Sequence, residues 1–263
     1  DAAAAIVARI DDATLRGELA LARGLERAAL SDPLAAVASL DAATDALRTA
    51  VGEDHPTFAR ARLARAAAAL VLDDPATARR ESDDAVASLA RSVGPEDLRY
   101  GAALAVQARV RLVTGDATEA QRSIEAAISI AFPSESLRHD FDRGRWLGVQ
   151  GEIQRSRGDL DAAAKSFEDA MIYLYVEPEK ALPLSWQGAL AIERGATADG
   201  LARLDAALAA AVAGLGEDDP RLVPLLSDIG RAQRRAGAIA AARGSFERAV
   251  GLAEAHFGFA PVT

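Results

Sequence analysis

The chain has 263 residues, 64 alanines, 28 arginines against two lysines, no cysteine, no asparagine and a net charge of −9. This composition excludes a disulfide framework, a thiol nucleophile and a thiolate metal site, and the scarcity of aromatic side chains argues against a large β-sheet core. No apolar run approaches the roughly 20 residues that span a bilayer, and the acidic balance runs against the basic footprint of a nucleic-acid binder.

In chain order, helices are predicted near residues 14–30, 33–50, 57–72, 75–92, 98–114, 117–131, 140–157, 159–176, 181–194, 197–214, 221–236 and 239–256. Two kinds of punctuation set these limits. Val51-Gly52-Glu53-Asp54-His55-Pro56 returns as Val93-Gly94-Pro95-Glu96-Asp97 and as Leu215-Gly216-Glu217-Asp218-Asp219-Pro220. Midway between these lie Ser31-Asp32-Pro33, Asp73-Asp74-Pro75, Gly115-Asp116, Gly158-Asp159, Gly195-Ala196 and Gly237-Ala238, at near-regular spacings broken once, between Gly158 and Gly195. Glycine suits a helix C-terminus, and aspartate or proline opens the next helix.

A fixed period changes the whole fold assignment. The units fall at about 13–54, 55–96, 97–139, 140–178, 179–218 and 219–258, each holding a first and a second helix. Residues 1–12 read as the end of a preceding repeat helix, so the chain is expected to begin inside an earlier repeat, and 259–263 read as a tail. The short interval from Gly158 to Gly195 marks an irregular joint after Met171-Ile172-Tyr173-Leu174-Tyr175-Val176, which is expected to be a buried helix end.

Three small-residue columns support the repeat. In the first helices stand Gly24, Ala66, Ala108, Gly151, Gly188 and Gly230. In the second helices stand Ala36, Ala78, Ala120, Ala163, Gly200 and Ala242, and further on Ala43, Ala85, Ala127, Ala170, Ala207 and Ala249. Between the latter two runs a mostly large column, Leu40, Ser82, Ile124, Phe167, Leu204 and Phe246. Small side chains at such points let helices approach closely.

This arrangement, with its Gly-x-Asp-His-Pro linker, resembles the tetratricopeptide repeat (TPR), in the longer form found in kinesin light chains and many bacterial signalling proteins. The resemblance covers about residues 13–258. It implies an all-α, right-handed α-solenoid of about six helix-turn-helix units, with first helices lining a concave face and second helices forming the back. It also implies a binding scaffold with no catalytic residues and no cofactor. Two departures stand out. The asparagines with which kinesin light chains grip peptide backbones are absent. Where the family has leucine before the small residue of each first helix, this chain has Arg23, Arg65, Gln107, Gln150, Gln187 and Ile229.

Little in the sequence points to chemistry. His55, His139 and His256 lie at helix ends without triad spacing, so structural or solvated roles are expected. Asp73-Asp74, Asp83-Asp84 and Glu217-Asp218-Asp219 lack the ligand spacing of a calcium loop, and no metal site is expected. There is no glycine-rich phosphate loop and no nucleophile elbow.

Charge placement says more. The six first helices hold 18 basic and 7 acidic residues, a balance of +11; the rest of the chain holds 12 and 32, a balance of −20. The concave face is therefore expected to be rich in arginine: Arg60, Arg109, Arg145, Arg155, Arg231 and Arg234, beside the polar column of Arg23, Arg65, Gln107, Gln150 and Gln187. For the arginines the alternative is cover of solvent faces and pairing with the acidic layer. For the polar column it is a hydrogen-bonded ladder between helices. A cleft lined with one sign of charge attracts the opposite sign, so the expected function is a protein-interaction module whose groove accepts an acidic partner segment. A structural module that oligomerises end to end or spaces neighbouring domains is the second hypothesis. Phosphate or nucleic-acid binding comes third, because aromatic stacking platforms are missing. A cytoplasmic location is expected, with no membrane contact.

Overall fold

Side-chain caps and turn residues mark out the helices of the computed structural model, which describes residues 12–30, 32–131 and 137–257. Asp32 accepts from the Ala35 N–H at 3.1 Å, Asp74 from Thr77 at 3.0 Å and Asp97 from Arg99 at 2.8 Å. Each bond satisfies a backbone donor that the first helical turn leaves unpaired. His55 does the same through Nδ1, which accepts from Thr57 at 3.2 Å. The chain reverses at left-handed residues. Gly52 has φ 83°, and at the corresponding mid-repeat turn Asp73 adopts φ 57° where later copies place glycine.

The described residues form twelve helices and no strand. They are α1 (Ala13–Ala29), α2 (Pro33–Val51), α3 (Pro56–Val71), α4 (Pro75–Ser92), α5 (Leu98–Val113), α6 (Ala117–Ala131), α7 (Leu137–Ser156), α8 (Leu160–Tyr173), α9 (Ala181–Glu193), α10 (Thr197–Leu215), α11 (Leu222–Arg235) and α12 (Ile239–Phe257). Odd numbers are the first helices of the repeats and even numbers the second. The expected preceding-repeat helix and the tail lie outside the described residues, as does the side chain of His139. No described helix is long and apolar enough to cross a membrane.

Two limits differ from the sequence expectation. Helix α7 begins at Leu137 rather than near 140, and α8 stops at Tyr173 rather than running to 176. The second difference has a packing cause. Leu174 leaves the helical conformation and is fully buried, with its side chain directly over Gly144, where a Cβ would collide with it. The apolar run is thus buried only at that point. Ile172 and Tyr175 are 66% and 65% exposed.

The chain divides into two compact units, residues 1–134 and 135–263. Within each, the helices of a repeat pack as a pair, and each second helix also contacts the first helix that follows it. Consecutive first helices touch, α1 with α3 and α3 with α5 in one unit, α7 with α9 and α9 with α11 in the other. Second helices do not touch one another among the described residues. The first helices therefore form one continuous layer in each unit.

The small and large columns fit into each other. A Cβ on Gly24 would come within 2.6 Å of Leu40, and one on Gly230 within 2.8 Å of Phe246. Each pair joins the last half of a first helix to its partner helix across the turn. In the first unit this close approach carries a core of Leu21, Leu40, Leu47 and Phe58. In the second it carries Leu204, Leu222, Leu226 and Ile229. Burying such side chains supplies most of the driving force at roughly 25 cal/mol per Å² of apolar surface.

Candidate partner-binding face

The polar column sits at the seam between the two helices of each repeat. Four of its members meet a polar side chain on the second helix of their own repeat. Arg65 pairs with Glu81 at 3.2 Å, the Ser123 hydroxyl donates to Gln107 Oε1 at 3.0 Å, Ser166 donates to Gln150 at 3.4 Å, and Arg203 donates to Gln187 at 3.0 Å. In the first unit the same residues also reach back to the preceding repeat. Arg65 Nε lies 2.8 Å from Asp41, and Gln107 Nε2 donates to Asp83 at 2.6 Å. Gln107 is 5% exposed, so its carboxamide works between helices, where a buried amide has to find partners. Arg23 occupies the same position on α1 and is half-buried.

The outward face of the first helices is a different set of residues. Spacing and exposure place Arg60, Ala64, Ala67 and Val71 along α3, and Ala102, Val106, Arg109 and Val113 along α5. In the second unit the corresponding positions are Arg145, Val149, Glu152 and Ser156 on α7, and Pro224, Asp228, Arg231 and Arg235 on α11. These follow the i, i+4, i+7, i+11 spacing of one helix stripe. The first unit thus presents small apolar side chains with Arg60 and Arg109 standing among them. Val71 and Val113, which occupy the same place in successive repeats, are 70% and 66% exposed.

Many of the first-helix arginines are engaged within the fold. Arg62 lies between Glu81 and Asp84, and Arg111 between Asp83 and Glu119. Arg155 contacts Glu152 at 2.7 Å and also Glu193, which Arg235 approaches at 3.4 Å. Burial, the largest influence on Arg155, pulls its pKa down, and the carboxylates of Glu152 and Glu193 together hold it above the ordinary value. The contrast of +11 against −20 is thus partly an internal pairing of layers. Arg60, Arg145 and Arg234 have no ion pair or hydrogen bond among the described residues. Arg231 pairs only with Asp228 of its own helix, and Arg109 is exposed.

One set of residues escaped the sequence reading. Two positions before the second small column of the even helices stand Asp41, Asp83, Glu125, Glu168, Asp205 and Glu247, acidic in all six copies. Asp41 and Asp83 supply the acceptors for Arg65 and Gln107 of the next repeat. The column was visible as a repeat-wide regularity. Its purpose was not, because the partner lies on another helix in the following repeat.

No protein-family model matches the chain, and no curated protein matches it. Solved structures do. A putative kinesin light chain with nearly identical TPR-like repeats from Podosopora anserina is 16% identical, with a TM-score of 0.54 over 77% of this chain and 99% of that one. A Rap protein complexed with competence and sporulation factor is 11% identical, with a TM-score of 0.70 over 95% and 67%. The Rap conjugation gene regulator of plasmid pLS20, in complex with the Phr* peptide, is 12% identical, with a TM-score of 0.66 over 92% and 74%. At these identities the likeness concerns fold, and with the repeat columns and their packing it identifies the chain as a TPR-type solenoid built of helix-turn-helix units.

Proposed function

We propose that the chain is a non-catalytic protein-interaction scaffold that takes an acidic partner segment on the outward face of its first helices. The observation that carries this is the composition of that face. Alanine and valine form a low apolar floor on α3 and α5, and Arg60 and Arg109 rise from it. Arg145, Arg231 and Arg234 occupy the exposed side of α7 and α11. Such a surface suits a segment that alternates apolar and acidic side chains, since guanidinium groups take carboxylates in bidentate fashion. Arg23, Arg65, Gln107, Gln150, Gln187 and Arg155 support the face from the seam, where their bonds hold neighbouring helices in register. The Phr* peptide held by a Rap regulator of similar fold agrees with a peptide-binding role.

A labelled poly-glutamate peptide titrated with the protein tests this. Binding should weaken steeply as salt rises past the range where the Debye length falls to about 8 Å. Combined Arg60→Glu and Arg145→Glu should weaken it more than Arg79→Glu and Arg122→Glu on the second helices. Binding that ignores ionic strength, or equal losses from the two pairs, would sink the proposal.

A further inference from the structure

The outer side of α12 differs from every preceding even helix with a described successor. In the fifth repeat the corresponding side of α10 carries Leu204 in the core, with Leu201, Leu208 and Val212 packed around it, and α11 covers it through Leu222, Leu225, Leu226 and Ile229. One repeat later, the same positions of α12 are Arg243, Phe246, Val250 and Glu254. They line an open groove of about 520 Å³ with Ile239, Glu247 and Arg234. Val250 is 54% and Ile239 62% exposed. Phe246 is only half-buried, whereas Leu40, Ile124 and Phe167 in the same column are fully buried. No described residue covers this apolar strip.

The repeats themselves state what fits there. Glu247 is the last member of the acidic column, and Asp41 and Asp83 in that column are met by Arg65 and Gln107 of the helix that packs on them. Glu247 makes only an intrahelical pair with Arg243, at 2.7 Å, and both side chains are largely exposed. The ends of the strip are charged where α10 is apolar, Arg243 for Leu201 and Glu254 for Val212. A helix that merely repeated α11 would leave those charges unmatched.

We propose that the outer face of α12 is a docking site for an amphipathic helix of a second protein. That helix carries apolar residues spaced like Leu222, Leu225, Leu226 and Ile229, and a guanidinium or carboxamide opposite Glu247. The site is separate from the first-helix face and does not depend on it. The interface it would form continues the one already made between α10 and α11, so continuity of packing and charge complementarity both specify the occupant.

The probe is a fluorescein-labelled peptide with the sequence of residues 221–236 carrying Ile229→Arg, followed by anisotropy against the intact chain. The parent peptide, with isoleucine there, is the comparison. Saturable binding of the arginine peptide is expected. Glu247→Gln should weaken it about tenfold, the effect of losing one charge-assisted hydrogen bond, and should change the parent peptide less than about twofold on the same reasoning. Val250→Glu should remove binding of both, and circular dichroism should show both variants as helical as the parent protein. Absence of saturable binding overturns the proposal, as does insensitivity to Val250→Glu or an equal effect of Glu247→Gln on the two peptides. Sedimentation of the protein alone supplies the remaining arm. Dimerisation abolished by Val250→Glu would assign the face to a second copy and overturn the proposal as well.

Discussion

The Gln107 carboxamide donates to the Asp83 carboxylate at 2.6 Å, bonding the first helix of one repeat to the second helix of the repeat before it. Its oxygen accepts from Ser123 at 3.0 Å, so one side chain ties together three consecutive helices, α4, α5 and α6. In place of the leucine that the repeat family carries, the chain uses a polar joint with defined donor and acceptor positions.

Removing that joint has a measurable cost. Gln107→Ala takes away both bonds from a site that water does not reach, and should lower unfolding free energy by about 1–3 kcal/mol. Urea denaturation is expected to show a lower midpoint with an unchanged slope. An unchanged midpoint would mean that the ladder adds nothing.

Glu81 is the charged version of the same joint. It is 4% exposed and accepts from Arg62 at 2.7 Å and Arg65 at 3.2 Å. Glu81→Ala strands two guanidinium groups at a half-buried seam. Because Asp84 and Asp41 remain beside them, the loss should be about 2 kcal/mol, below the roughly 3–5 kcal/mol of a fully isolated buried pair. Arg62→Met combined with Glu81→Leu should recover part of it. A double variant no better than the single one would contradict this account.

Two helical glycines should respond in opposite ways. At Gly151 an added Cβ runs into the Phe167 ring, so Gly151→Leu overpacks the seam and should cost at least about 2 kcal/mol. At Gly244 a Cβ meets open space, and Gly244→Ala should raise stability by up to about 1 kcal/mol through the smaller backbone entropy of the unfolded chain. Thermal unfolding of the two variants checks both signs at once.

Acid sensitivity should come in part from two turn aspartates. The side-chain hydrogen bonds from Arg99 to Asp97 and from Arg221 to Asp219 hold both carboxyls below the ordinary aspartate value. A carboxyl lowered in the folded state stabilises it fully above the unfolded-state pKa of about 3.9 and loses that contribution as pH falls through the folded value. Stability should therefore decline below about pH 4, and Asp97→Asn with Asp219→Asn should flatten the decline. A slope that the double variant leaves unaltered would assign acid unfolding to other groups.

Much of the architecture was legible because a repeat states its packing several times. Gly24 with Leu40 and Gly230 with Phe246 are the same small-to-large contact at the same separation, and close approach explains both. The aspartate caps were equally open to inspection, since an N-cap needs only its own helix. The stop of α8 at Tyr173 was not, because Leu174 turns inward to meet Gly144, which lies far back along the chain on another helix. The candidate face was legible in outline. Spacing placed Arg60, Arg109, Arg145 and Arg231 on the exposed stripe, and it grouped them with Gln107, which lies at the seam.

The net charge of −9 and its division into +11 and −20 were determined by the sequence alone, as were the helix-turn-helix period and the small columns, all of them properties of residue type and spacing. Which charges remain available was decided only by the tertiary structure. Arg62, Arg111 and Arg155 meet carboxylates of other helices, while Arg60 and Arg145 meet none among the described residues. The reason is physical: an ion pair depends on separations of a few ångströms between side chains from different helices, and a linear count of charges carries no such distances.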